Sequence, residues 1–347
     1  MTRRLVFGVS AWSLGAPFTA CVMLAVAWWH PSGWLILSLV AAALIATCFA
    51  AVHHAEVVAH RVGEPFGTLI LALAVTVIEV GLIVSIMLSG GTAVNALARD
   101  TVFATVMIVC NGVVGLCLLL GAIRHHVLVF QVEGTSSALS VLTALTTLTL
   151  ILPSLTTTTP GPTLATAQLA FAGATSLVLY GIFVFVQTVR HREYFLPIAV
   201  EYGDEDQHPA PPSTPVALTS FALMCVSLVA IVGLAKTLAP SIEAGVAAAA
   251  APAAVVGIAI ALLVLLPETG AAVRAATRNR MQTSLNLALG SALATIGLTI
   301  PAVVVVSMLL GLPLELGLPP MERALLVLTL LISTMTLASG RATVLQG

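Results

Sequence analysis

Charged side chains are scarce in this sequence. Only 8% of its 347 residues are Asp, Glu, Lys or Arg, whereas about a quarter of an average soluble domain is charged. Apolar residues make up 59% of the chain, and the mean hydropathy is +1.11. These values exclude a soluble globular protein and a disordered chain. The 13 basic residues are balanced by 14 acidic ones, so the chain also lacks the basic excess with which proteins bind nucleic acids.

The motifs of familiar enzymes are missing as well. The sequence contains no CxxC, HExxH or GxSxG motif and no paired aspartates of the kind that an intramembrane protease uses. We therefore expect neither an enzyme nor a bound cofactor. The five cysteines all lie in apolar runs, where we expect them to be buried apolar side chains: Cys21, Cys48, Cys110, Cys117 and Cys225.

Long, continuous apolar runs are abundant. A membrane-spanning helix needs about 20 mostly apolar residues, and ten stretches meet this requirement. The runs do not alternate between apolar and polar residues as the strands of a β-barrel do. The sequence therefore predicts an all-α polytopic membrane protein with about ten transmembrane helices, which lie near residues 7–29, 34–53, 64–89, 101–122, 136–152, 163–189, 216–238, 250–278, 283–310 and 323–339.

The basic residues predict an orientation in the membrane. With ten spans and a cytoplasmic N-terminus, only Arg99, Lys236 and Arg323 lie outside. The positive-inside rule favours this arrangement, which suits a multi-pass protein of a cell inner membrane. The residues that fall inside are Arg3, Arg4, Arg61, Arg124, Arg190, Arg192, Arg274, Arg278, Arg280 and Arg341.

One polar segment divides the chain into two halves. Residues 191–215 hold an acidic cluster followed by a Pro-rich stretch, which is typical of a cytoplasmic linker. The predicted organisation is an extra helix over 1–30, a first repeat over 33–190, the linker, and a second repeat over 216–347. Because corresponding helices, such as the third and the eighth span, are five spans apart, they cross the membrane in opposite directions. The second repeat is therefore predicted to be inverted relative to the first, as in many secondary transporters.

Each half has a single glutamate near the middle of one long span. Glu79 lies in the span at 64–89, and Glu268 lies in the span at 250–278. An intramembrane carboxylate costs at least a few kcal/mol unless it is protonated, paired or hydrated. Two such groups could bind either protons or a metal cation with hard oxygen ligands. We also expect Pro267 to kink or break its helix beside Glu268.

Two stretches of this sequence resemble a known family. They are GEPFGTLILALAVTVIEVGLI and LPETGAAVRAATRNRMQTSLNLALGSALATIGLTIP, and they resemble the calcium/cation antiporter superfamily, in particular its bacterial ChaA-like calcium(sodium)/proton antiporters. The resemblance implies two inverted five-helix repeats, a preceding extra helix and an acidic cytoplasmic segment between the repeats. It also implies that Glu79 and Glu268 bind the cation and exchange it for protons.

The resemblance implies further residues that line the site. Ser291 corresponds to the polar position in the helix after Glu268, and Asn111 is its counterpart in the first half. Thr295 lies one turn after Ser291 and is expected to face the same way. The remaining candidate is Thr76, which lies three residues before Glu79.

Two features depart from the family pattern. Many members have a Gly-Asn pair before each glutamate, where this chain has Val75–Thr76 and Val264–Leu265. Thr76 is then a site-lining candidate without an amide ligand, so calcium specificity is left open. The family also usually has an eleventh helix after a stretch like SGRATVLQG. This sequence stops at Gly347, so either it is trimmed or the eleventh helix is missing, and in the second case the second repeat is expected to have four helices rather than five.

The leading hypothesis is a secondary active antiporter that exports Ca²⁺, or Na⁺ or K⁺, in exchange for H⁺ across the lipid bilayer. A cation channel and a Na⁺(K⁺)/H⁺ antiporter without calcium transport are the alternatives. A channel conducts without proton counterflow, and the sequence shows no loop like a selectivity filter. The choice between a monomer and a homo-oligomer stays open.

Overall fold

The computed structural model describes residues 5–6, 9–29, 33–63, 66–88, 95–196, 212–252 and 254–347. The acidic cluster at 201–208, with most of the predicted linker, lies outside the described residues, as do Arg3 and Arg4.

Ten helices dominate the described residues. Nine of them are long and apolar enough to cross a membrane, and α1 has a shorter apolar stretch, Ala11–Ala27. The predicted fold class, an all-α polytopic membrane protein, is confirmed. The helices are α1 (Ala11–Trp29), α2 (Trp34–Val62), α3 (Phe66–Met87), α4 (Leu97–His125), α5 (Val132–Ser154), α6 (Thr166–Arg190), α7 (Thr214–Ala248), α8 (Ala254–Thr277), α9 (Met281–Leu310) and α10 (Pro320–Leu337).

Several helices are longer than their apolar stretches predict. Helix α2 continues to Val62 and α7 continues to Ala248, because helical hydrogen bonding does not stop where polar side chains begin. Helix α8 runs without interruption through Pro267, so the helix is not broken there, and a kink at this proline stays a prediction. One missing backbone donor leaves the neighbouring hydrogen bonds of the helix in place, and membrane helices tolerate such a loss.

The chain forms two compact units. Unit 1 consists of Met1–Leu97 and Pro209–Val264, and unit 2 consists of Ala98–His208 and Leu265–Gly347. The boundary between the last two segments falls within α8, after Val264.

In unit 1, α2 packs against α1, α3 and α7. Helices α3 and α7 approach closely, since a Cβ added at Gly81 would lie only 2.7 Å from Cγ2 of Val232. The hydroxyl of Ser85 donates to the carbonyl of Gly81 at 2.6 Å and lies 3.4 Å from the carbonyl of Val232. Small residues allow such close packing of membrane helices. Helix α1 is joined to α2 by the fully buried His54, whose Nε2 donates to the carbonyl of Ser13 at 2.9 Å.

In unit 2, α4, α5, α6, α9 and α10 pack together. Four of these helices contain a π-helical segment, in which backbone bonds run from residue i to i+5: Ile108–Val113 in α4, Thr147–Ile151 in α5, Val186–Arg190 in α6 and Thr295–Thr299 in α9. Two short strands, β3 (Leu128–Val129) and β4 (Arg341–Ala342), pair antiparallel in this unit, whereas β1 (Leu5–Val6) and β2 (Val9–Ser10) pair in unit 1.

The loops of unit 2 lie at the two opposite ends of its helices. At one end, the extended segment after α9 is held by Arg99, whose Nη1 donates to the carbonyl of Gly317 at 3.2 Å, and by the backbone bond from Leu318 to Leu150. At the other end, His125 Nε2 bonds the carbonyl of Thr277 at 3.1 Å. Because α4 runs from Leu97 to His125, these two ends are separated by the full length of a membrane-spanning helix.

The two ends of unit 2 carry different charges. Among the described residues, the end near Arg99 has two arginines and three carboxylates, which are Arg99, Arg323, Asp100, Glu315 and Glu322. The end near His125 has seven arginines and two glutamates, which are Arg124, Arg190, Arg192, Arg274, Arg278, Arg280, Arg341, Glu133 and Glu193. The excess of arginine is therefore confined to one end.

A buried amide network joins three segments at the arginine-rich end. Gln282 is fully buried at the start of α9. Its Oε1 accepts from the backbone N–H of Gln131 at 2.7 Å, and its Nε2 donates to Oδ1 of Asn286 at 3.0 Å. Asn286 in turn donates to the carbonyl of Phe195 at 2.6 Å. The network thus connects α9 to α5 and to the short turn that follows α6.

We predict that Gln282→Leu lowers the stability of the protein by about 1–3 kcal/mol, because the half-buried N–H of Gln131 loses its acceptor. Thermal unfolding in detergent, followed by circular dichroism, measures the effect. The control is Ser137→Ala, which removes an exposed hydroxyl that bonds only its own helix, at the carbonyl of Glu133. An unfolding midpoint of Gln282→Leu that matches that of the control would contradict the prediction.

Candidate functional site

Glu79 lies in the middle of α3 in unit 1, and its side chain is only 1% exposed. A helix places residues three and four apart on one face, so Thr76 and Ile83 share the face of Glu79. Both neighbours are buried. This face differs from the one at Gly81 and Ser85, which packs against α7. Glu79 is therefore a carboxylate enclosed among apolar helices, a setting that favours proton or cation binding.

Thr76 lies one turn before Glu79 and is also buried. Its hydroxyl donates to the carbonyl of Ala72 at 2.8 Å, which uses its only proton. The hydroxyl oxygen keeps its capacity to accept a hydrogen bond or to bind a cation. Thr76 thus stays a candidate ligand beside Glu79.

Glu268 lies in the part of α8 that belongs to unit 2, and it is half-buried. The hydroxyl of Ser291 in α9 donates a hydrogen bond to Oε2 of Glu268. Ser291 itself is 8% exposed. The structure thus brings together two predicted site residues that lie 23 positions apart in the sequence.

Thr295 begins the π-helical segment Thr295–Thr299, one turn after Ser291, and it is buried. Gly297 in this segment has no room for a side chain, because a Cβ there would clash with Tyr180 of α6. Tyr180 is buried and close enough to Glu268 for an electrostatic interaction. The phenol of Tyr180 therefore belongs to the surroundings of Glu268, and the absence of a side chain at Gly297 allows its approach.

Asn111 lies in the π-helical segment Ile108–Val113 of α4. Its side chain is exposed, and its Nδ2 lies 3.1 Å from the carbonyl of Met107 and 3.1 Å from Oγ1 of Thr329 in α10. The stretch Met281–Ala294 of α9 packs against the same π-helical segment. Within unit 2, Asn111 thus lies on an element that neighbours the helix of Ser291.

Two residues of this region escaped the sequence analysis. Tyr180 lies in an apolar span without a recognisable motif. Thr329 lies in an apolar stretch whose only signal is a hydroxyl at 329 with another at Ser333, one turn later on the same buried face. Hydroxyls at this spacing are common in membrane helices as packing groups, so sequence alone did not distinguish them.

The candidate residues fall into two groups. Unit 2 contains Asn111, Glu268, Ser291 and Thr295, and unit 1 contains Glu79 and Thr76. The convergence of the two glutamates on one site stays a prediction. Both halves nevertheless share one feature: the helix that follows each glutamate helix contains a π-helical segment, a distortion often found at functional sites.

Comparison with known proteins identifies relatives across nearly the whole chain. The sequence matches the sodium/calcium exchanger protein family over residues 31–189 and 219–347. It is 47% identical to y4hA of Sinorhizobium fredii, which is named as an ionic transporter, over 98% of this chain and 92% of that protein. It is 34% identical to the sodium-potassium/proton antiporter ChaA of Escherichia coli, over 88% of this chain and 82% of that protein.

Solved structures share the fold. The structure of native YfkE matches with a TM-score of 0.71 at 13% identity, over 98% of this chain and 94% of that one. The H⁺/Ca²⁺ exchanger CAX matches with a TM-score of 0.66 at 12% identity, over 96% of this chain and 84% of that one. These identities establish the architecture alone.

The family match and the sequence relatives settle the membership that the two glutamate-containing stretches indicated. The chain belongs to the sodium/calcium exchanger protein family and is a ChaA-like, multi-pass membrane transporter of the calcium/cation antiporter superfamily.

Proposed function

We propose that this protein exchanges an inorganic cation for protons and that Glu79 and Glu268 are the groups that bind both. The observation that carries the proposal is the hydrogen bond from Ser291 to the Glu268 carboxylate in the membrane-spanning part of unit 2. It orients a carboxylate oxygen next to a second oxygen on the following helix, and hard cations bind such oxygens.

Charge balance provides the coupling. Two protons neutralise two carboxylates, and so does one Ca²⁺ or a pair of Na⁺ or K⁺ ions. An empty, doubly charged site is expensive to carry through an apolar environment. The site therefore changes its access mainly when it is loaded with protons or with cations, and this restriction yields exchange rather than leak.

The transported cation is either a monovalent ion, Na⁺ or K⁺, or the divalent Ca²⁺. The relative ChaA is named for sodium, potassium and protons, and this chain has Val75–Thr76 and Val264–Leu265 in place of the family's Gly-Asn pairs. Both points favour Na⁺ or K⁺. The charge of two glutamates favours Ca²⁺, whose double charge one ion can supply.

The charge difference between the ends of unit 2 supports an orientation. The end with seven arginines meets the positive-inside rule if it is cytoplasmic. We propose a location in the inner membrane with the N-terminus in the cytoplasm, so that Arg99 and Glu315 face the periplasm.

We predict that Glu79→Gln and Glu268→Gln each abolish cation-dependent proton movement, because a neutral amide neither releases a proton nor balances a cation. Protein in vesicles with an internal pH-sensitive dye is challenged with Ca²⁺, Na⁺ or K⁺, which also ranks the cations. Glu133→Gln, an exposed glutamate in the first turn of α5, is the matched control. Exchange at the unmodified rate in both variants would falsify the proposed roles, and cation flux without proton movement would indicate a channel.

We predict that Ser291→Ala raises the cation concentration needed for half-maximal exchange about fivefold to tenfold, because Glu268 loses the donor that orients it; this corresponds to roughly 1–1.4 kcal/mol. Ser291→Thr keeps the hydroxyl and is expected to retain most of the affinity. Ser284→Ala removes another buried hydroxyl two turns earlier in α9 and serves as the control. Equal effects of the two alanine variants would show that Ser291 acts through packing.

The orientation predicts opposite labelling of two loop positions. In a variant whose five native cysteines are alanine, a membrane-impermeant thiol reagent added to intact cells should label Thr158→Cys. It should label Glu193→Cys only after the cells are opened. Both positions are exposed in the structure. The reverse pattern would place the N-terminus outside.

A further inference from the structure

An amide side chain has a donor end, its NH₂ group, and an acceptor end, its carbonyl oxygen. Only the oxygen can bind a cation. In Asn111, the donor end is occupied. Nδ2 donates to the carbonyl of Met107 at 3.1 Å and to Oγ1 of Thr329 at 3.1 Å. These two bonds use both protons of the amide. Within the described residues, Oδ1 accepts no hydrogen bond, and the side chain is exposed.

The hydroxyl of Thr329 is enclosed. Thr329 is 4% exposed in α10, and its Oγ1 accepts from Asn111 while it donates to Sδ of Met107 at 3.4 Å. Met107 lies one turn before Asn111 in α4 and supplies both a carbonyl and a thioether to the same cluster. The three side chains therefore form a closed set of contacts between α4 and α10.

This set of contacts determines which way the amide points. If the amide were flipped, Oδ1 would face the carbonyl oxygen of Met107, and two acceptors would oppose each other. The carbonyl of Met107 therefore excludes the flipped state, and the hydroxyl of Thr329 holds the second N–H. Without that hydroxyl, the terminal torsion of an asparagine is broad, and the amide oxygen loses its fixed direction.

We propose that Thr329 is a positioning residue for transport: its buried hydroxyl holds the Asn111 amide so that Oδ1 is presented to the transported cation. The inference rests on the proposed cation/proton exchange and adds a residue from α10 to it. Thr329 does not itself contact the cation. A ligand held in advance costs less ordering when the ion binds, so Thr329 acts on cation affinity through Asn111.

The test compares three substitutions in α10 by cation-driven proton movement in vesicles. Thr329→Val removes the hydroxyl at nearly constant volume, and we expect the half-maximal cation concentration to rise about fivefold while the maximal rate changes less than twofold. Thr329→Ser keeps the hydroxyl and should restore the affinity. Thr334→Val makes the same chemical change at an exposed threonine whose hydroxyl bonds only the carbonyl of Leu330 in its own helix, and it should leave the affinity unchanged.

A double-mutant cycle separates positioning from packing. If Thr329 acts through Asn111, then Asn111→Ala raises the half-maximal concentration by itself, and adding Thr329→Val to Asn111→Ala produces no further rise. Additive effects in the double variant would overturn the proposal, and so would failure of Thr329→Ser to restore affinity. An unchanged affinity in Thr329→Val would overturn it equally. Elution of each variant as a single peak in detergent confirms that it is folded.

The outcomes also separate this inference from the proposed function. Exchange that persists in Glu79→Gln and Glu268→Gln counts against the proposed function. A different outcome supports the function and rejects the role of Thr329. In that outcome, exchange is lost in the two glutamate variants, while Asn111→Ala and Thr329→Val keep the full affinity for the cation.

Discussion

An ionised carboxylate in a bilayer interior is unfavourable by at least a few kcal/mol, and this constraint governs the organisation of the protein. The chain places one glutamate in the middle of α3 and one in α8, in spans that are otherwise apolar. Such groups in a membrane protein usually require polar partners. The surroundings of Glu268 fit this requirement, since Ser291 donates a hydrogen bond to its carboxylate and Tyr180 lies nearby. For Glu79, the hydroxyl oxygen of Thr76 is a neighbouring polar atom on the same face of α3.

The amide side chains of unit 2 differ in how many of their hydrogen-bonding atoms are used. Gln282 and Asn286 are committed to backbone groups of neighbouring segments, and they hold the arginine-rich end together. Asn111 differs, because its donor end is committed while its oxygen is not. Buried polar networks stabilise a fold only when every member is satisfied. A side chain whose partners leave one oxygen open is therefore the kind of group from which a binding site is built.

The fold was largely predictable from the sequence, because membrane spans are long and apolar and leave few alternatives. All ten predicted spans correspond to helices. The errors follow from the same signal: hydropathy does not record the helical turns that continue past the apolar stretch, as in α2 and α7. Proline within a span predicts a kink or a break, and α8 continues unbroken through Pro267. The two short strand pairs were also missed, since two-residue bridges leave no period in the sequence.

The candidate site was predictable only in part. Depth and isolation identified Glu79 and Glu268, and the resemblance identified Ser291 and Asn111. Tyr180 and Thr329 depend on which helices pack against each other, which a single sequence does not encode in any local pattern. The role inferred for Thr329 in particular depends on its contact with Asn111, which lies 218 positions away in the chain.

The π-helical segments of α4 and α9 have a consequence for how the two halves are compared. A turn closed by i to i+5 bonds holds one residue more than a regular turn, so it accommodates a local insertion without the rotation of about 100° that one added residue causes in a regular helix. The segments lie at 108–113 in one half and at 295–299 in the other, so a residue-by-residue alignment of the halves needs a gap only where one half has the extra residue and the other does not. Deleting a single residue there would regularise the helix and leave its downstream polar face against its present neighbours, whereas a deletion in a regular turn would rotate that face by about 100°.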